Sequence, residues 1–119
     1  MTTPHELACA AADQVRALTE HTARPGAYPY PTDAHHTLGA LAGLLEQLPL
    51  TLHQAAAALN AMPENQLAVL SDPPVPARVQ AQIAVELGQA IAAAQEAAAH
   101  LRRAQHAAAE LVYTGPIGL

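Results

Sequence analysis

Three observations predict an all-α fold: a four- to five-helix bundle with a long Ala-rich C-terminal helix. Apolar residues recur at three- and four-residue spacings along most of the chain, the period of one helix face. Thirty of the 119 residues are alanine, the residue with the highest helix propensity. Prolines gather at 25–31 and 73–76, where they break the pattern rather than interrupt it at random.

The first helix is predicted at about 4–21. Thr3 stands where an N-cap belongs, Pro4 at the first helical position and Glu6 where it closes a capping box. Leu7, Ala11, Val15, Leu18 and Thr22 then form one apolar stripe, with Asp13, Arg16 and Glu20 off it. A proline-rich connector, residues 23–32, follows. Pro25, Pro29 and Pro31 stiffen it and Gly26 permits a turn. Tyr28 and Tyr30 are two of only three aromatic residues, with no Phe or Trp in the chain, and are expected to cover the bundle or anchor a partner.

A second helix, 33–48, is expected with Thr32 or Asp33 as its N-cap. Leu38, Leu41, Leu45 and Leu48 mark its buried side, and Gly39 and Gly43 either weaken it or admit a close neighbour. Pro49 is read as its end. Thr51 to Gln54 reads as a second capping box opening a helix at 51–61, and Pro63 as the start of a short helix at 63–70. The run 71–76, "SDPPVP", is a hard break.

From Pro76 to about Tyr113 only Gly88 interrupts a helical pattern, giving a helix of roughly 55 Å at 1.5 Å per residue. Val79, Ile83, Leu87, Ile91, Ala94, Ala98, Leu101, Gln105, Ala108 and Val112 share one third of its circumference. Gln82, Gln89, Glu96, Arg103 and Glu110 repeat every seven residues on the other side. Earlier helices, laid end to end, would cover this spine. Its alanine-rich half favours close helix approach, and self-association through it is expected.

The length fits a single helical domain, 1–119. A formal net charge of -5, with five arginines and no lysine, argues against nucleic acid or an anionic membrane as partner. No apolar run reaches the roughly 20 residues of a membrane span, and "MTTPHELACAAADQ" lacks the basic start of a signal peptide. Cys9 stands alone, so no internal disulfide forms. A cytoplasmic protein is expected. The bias toward Ala, Pro, Gly and Arg over Lys and Phe fits a bacterial genome of high GC content.

Histidine is the one catalytic residue type present in quantity, and its spacings are weak for metal binding. His5 and Cys9 are four apart, His35 and His36 adjacent, His100 and His106 six apart, and there is no HExxH or CxxC. Ser71 is the only serine, and Cys9 lacks a flanking cation other than His5. Carboxylates occur singly and no glycine-rich phosphate loop is present. No catalytic residue, metal or cofactor is therefore assigned. "HLRRAQH", 100–106, is the local positive cluster, with Glu96 and Glu110 placed to pair within the helix.

The expected function is a small non-enzymatic interaction module, an adaptor or regulatory subunit. It would act through self-association, as a homodimer, or through another protein, with Tyr28, Tyr30, Arg102 and Arg103 as candidate partner-binding residues. A helix-turn-helix regulator using residues 51–70 is the alternative, although the would-be recognition helix holds no basic residue. A His-based metal-binding or catalytic bundle is the third reading.

Overall fold

A computed structural model describes residues 2–70 and 75–116. Among them are three α-helices, α1 (Pro4–Thr22), α2 (Pro31–Ala61) and α3 (Pro76–Ala108), and a single 3-10 turn at Glu64–Gln66. The all-α class holds, with three helices in place of four or five.

The α1 capping box forms as the sequence dictates. Thr3 Oγ1 accepts from Glu6 N–H at 3.1 Å, and Thr3 N–H donates to Glu6 Oε2 at 3.4 Å. The helix stops at an Ala23 cap, and Gly26 carries the left-handed turn that follows, at φ 80°. α2 starts two to three residues earlier than Thr32 or Asp33 as caps would allow. Tyr30 is its N-cap, Pro31 its first residue, and the Asp33 carboxylate accepts from Tyr30 N–H at 3.2 Å. Pro at the first helical position, where no N–H is needed, is the stronger signal.

The helix count fell first because α2 runs on through Pro49, and then because residues 63–70 form no α-helix. The proline removes the N–H that would bond the Leu45 carbonyl, at a cost of about 3 kcal/mol or more. Packing on α3 offsets this. Among the half-buried or buried positions on α2, one series runs Pro31, His35, Leu38, Ala42, Leu45, Pro49, Leu52, Ala56, Leu59, alternating steps of four and three. Pro49 thus sits in phase on the seam, and a break there would lift Leu52, Ala56 and Leu59 off α3. Thr51 is no cap; its hydroxyl donates back to the Gln47 carbonyl at 3.4 Å.

The facing seam on α3 is Gln80, Ile83, Leu87, Ile91, Ala94, Ala98, Leu101, Gln105, Ala108, with Val79 beside its start. Spacings that average about 3.5 residues are those of knobs-into-holes helix pairs. The two helices run antiparallel. At one end the Gln80 side-chain amide donates to the Leu59 and Met62 carbonyls, at 2.9 and 3.2 Å. At the other, His35 Nδ1 lies 2.9 Å from the Gln105 carbonyl. A carbonyl only accepts, so Nδ1 carries the proton. This register sets Ala42 opposite Ala98, and these two are the buried hydrophobic residues among those described.

Residues 63–70 do not form the expected helix. After the 3-10 turn the chain is extended, and Leu67 and Val69 fold over the closed end of the hairpin. With Leu59, Met62, Pro76, Val79 and Ile83 they line a small apolar recess of about 170 Å³. The break expected at 71–76 lies outside the described residues, except for Val75 as N-cap and Pro76 as first residue of α3. α3 is continuous through Gly88 and ends at Ala108, short of Tyr113. It stops where α2 begins: beyond Ala108 there is no facing helix, and Val112, expected on the seam, is 79% exposed.

Helix packing is almost entirely between α2 and α3. No residue of α1 is buried. The chain measures 68 × 29 × 26 Å with a Cα radius of gyration of 20.1 Å, against about 13.5 Å for a compact domain of this length.

Two substitutions test the seam. Ala42→Leu forces three extra carbon atoms between close helices and is expected to lower stability by about 1–3 kcal/mol in urea melts. Pro49→Ala restores an N–H and helix propensity within a helix that is already continuous, and is expected to raise stability by about 1–3 kcal/mol. A loss of stability in Pro49→Ala would mean that the chain needs a break there.

Candidate interaction surface

Of the four residues proposed to meet a partner, the structure engages three within the chain: Arg102, Tyr30 and Arg103. Arg102, reaching across the seam, holds Glu46 with both arms: Nε to Oε2 at 3.0 Å and a terminal nitrogen to Oε1 at 2.5 Å. A further guanidinium nitrogen donates to the Gln105 side-chain oxygen at 2.9 Å. Gln105 in turn lies over Gly39, where a Cβ would meet its side-chain nitrogen at 2.5 Å. Gly39 therefore admits a close neighbour, whereas Gly43 and Gly88 face open space. The hydrogen bond and charge of Arg102 hold the Glu46 carboxyl below its ordinary 4.5, and Glu46 raises Arg102 correspondingly. This pair joins residues 56 apart in sequence, and helical spacing alone had no means to match them.

Tyr30 is the second engaged residue. It meets Tyr113 edge to face, ring centroids 4.9 Å apart and planes at 88°. Neither Tyr28 nor Tyr30 enters a core; both are exposed. The physical reason is their place at the open end of the hairpin, where α2 starts and α3 stops and no third helix closes over them. Arg103 stays exposed beside His100, its guanidinium 2.9 Å from Nδ1, and Glu96 lies 3.9 Å from His100 Nε2.

His5 and Cys9 do sit together on α1, Sγ to Nε2 3.6 Å, exposed. His35 and His36 are 5.6 Å apart between ring centroids, but His35 is committed to the Gln105 carbonyl. Among the described residues no three His, Cys, Asp or Glu side chains converge to hold a metal ion. Ser71 lies outside the described residues. For a helix-turn-helix at 51–70 the second helix is not there: the segment is the end of α2, one 3-10 turn and extended chain.

What the sequence reading passed over is the surface that nothing covers. On α1, Leu7 is 61% and Val15 41% exposed, so the N-terminal part of the apolar stripe faces outward, while Leu18 and Thr22 are half-buried. On α2, the side turned away from α3 presents Ala40, Gly43, Leu44, Gln47, Leu50, Thr51, Gln54, Ala57 and Ala58. No charged side chain lies there, because the only charged residues of α2 are Asp33 and Glu46, both already bonded as described. The signal was available in the sequence as a 31-residue helix with two charges. Comparison of the chain with family models, with curated proteins and with solved structures finds no match. No helix among the described residues is long and apolar enough to cross a membrane.

Because Glu46 is held below its ordinary value, its stabilising contribution is complete above about pH 5 and is lost as pH falls from 4.5 through the lower folded value. Glu46→Gln is therefore expected to melt below the parent at neutral pH, with the difference closing as pH drops below that window. Thermal melts by circular dichroism from pH 7 to pH 3 measure this. A constant difference would show that the pair is not what the substitution removes.

Proposed function

We propose that the chain is a small non-enzymatic helical interaction module, an adaptor or regulatory subunit, acting in the cytoplasm. It works by presenting helix faces to a second copy of itself or to another protein. The observation that carries this reading is the apolar stripe of α1, exposed at Leu7, Ala11 and Val15 and half-buried at Leu18 and Thr22, on a helix with no buried residue. Contiguous apolar surface left open on a folded chain marks a contact site, and full burial of a Leu or Val contributes about 1.5–3 kcal/mol. The net charge of -5 and the scarcity of cations favour a protein over a polyanion as the occupant.

The test uses the full chain as bait against extract of its host, beside a bait carrying Leu7→Asp and Val15→Asp. Quantitative mass spectrometry is expected to find at least one protein, the chain itself or another, depleted tenfold or more on the variant. Equal recovery on both baits, or none on either, would overturn the proposal.

A further inference from the structure

We infer that α1 of one chain lies on the outward face of α2 in a second copy, and the reverse, so that two chains exchange their N-terminal helices in a two-fold dimer. The inference rests on the interaction reading above and names its partner and both faces.

The first support is area. The chain exposes 9030 Å², against about 6,100 Å² for a folded monomer of its 12.3 kDa mass. That excess, to which the wholly unburied α1 contributes, leaves room on two chains for an interface in the roughly 2,000–5,000 Å² range of obligate dimers.

Match between the two open faces is the second support. Leu7 to Thr22 spans about 23 Å of α1, and Ala40 to Ala58 about 27 Å of α2. The α2 face is built largely from small residues, and nothing lies within 4 Å of where a Gly43 Cβ would stand, so another helix can approach closely.

Charge placement is the third. Glu6, Asp13, Arg16 and Glu20 lie on the side of α1 opposite the stripe, at 100° per residue, and stay in water when the stripe is covered. The outward side of α3 keeps Arg78, Glu86, Glu96 and Arg103, all exposed, and so stays solvated. One chain thus carries both an uncovered apolar helix and an uncovered, uncharged helix face. Two copies about a two-fold axis satisfy both at once with one repeated contact. A foreign partner would have to supply two unrelated surfaces.

Light scattering on the full chain tests this with two double variants at exposed positions. Leu7→Asp with Val15→Asp charges the α1 stripe; Leu44→Asp with Leu50→Asp charges the α2 face. The parent is expected at twice 12.3 kDa and each variant at the single-chain mass, with helix content unchanged by circular dichroism. An equimolar mixture of the two variants has one intact α1 and one intact α2 face. It is expected to regain a two-chain species, at least tenfold weaker than the parent. Should an aspartate variant lose helix content, the Gln versions at the same positions replace it. A parent that stays monomeric, a variant that stays dimeric, or a mixture that stays monomeric each overturns the exchange. A monomeric parent that still captures a different protein through Leu7 and Val15 would overturn the exchange alone and leave the interaction reading standing.

Discussion

The antiparallel contact between α2 and α3 is the constraint on which the rest of this structure depends. With no Phe or Trp and with alanine as the commonest residue, the chain has few bulky groups to fill a core. What it has is small side chains in phase, and small side chains gain by letting helix surfaces meet closely. The buried pair, Ala42 and Ala98, marks the middle of that contact. Everything else is subordinate. α2 keeps its helical path through Pro49 because both halves of it are needed on the seam, and α3 ends at Ala108 because α2 offers nothing further to pack on.

An apolar seam of repeated spacing is poor at choosing its own register, since a slide by one heptad would again bring leucines and alanines together. Polar contacts across the seam remove that freedom. Gln80 bonds to carbonyls at the end of α2, His35 to the Gln105 carbonyl near the end of α3, and Arg102 to Glu46 between them. Each is lost on a slide of seven residues. The exposed Arg102–Glu46 pair adds little to stability by itself; its weight is in alignment. Gly39 belongs with this group, because only a residue without a side chain leaves room for Gln105 to lie there and accept from Arg102.

Much of this was legible in the sequence, and the misses share a cause. The Thr3, Pro4, Glu6 start was readable because capping is local chemistry. So was the α3 face from Val79 to Ala108, because burial follows period. Pro49, Thr51 and Pro63 misled because each carries a strong local signal that a long-range contact overrules. At Pro49 the seam continued in phase, which a reading that stopped at the proline could not count. Arg102 was taken as free for a partner since its true partner, Glu46, is far along the chain and belongs to another helix. The open faces were missed for a different reason: an absence of charge on one side of a helix is a weaker mark than a run of charge.

Coding bias toward alanine raises a fair objection to giving that absence meaning, since a chain short of charged residues will show uncharged faces by chance. α3 answers it. It holds thirteen alanines in 33 residues against eight in 31 for α2, so the bias acts on it more strongly. Yet α3 keeps Arg78, Glu86, Glu96 and Arg103 on its outward side. The same chain, under the same bias, places charge where a helix meets water and, between Ala40 and Ala58 of α2, confines it to Glu46 beside the seam and keeps it off the outward side. The two helices pack on each other along equivalent seams, so burial against each other cannot distinguish their outer sides. What distinguishes them is what lies beyond: solvent over α3, and over α2 a surface that avoids charge as helix contacts do. The uncovered stripe of α1 has the complementary character, and it is carried by the same chain.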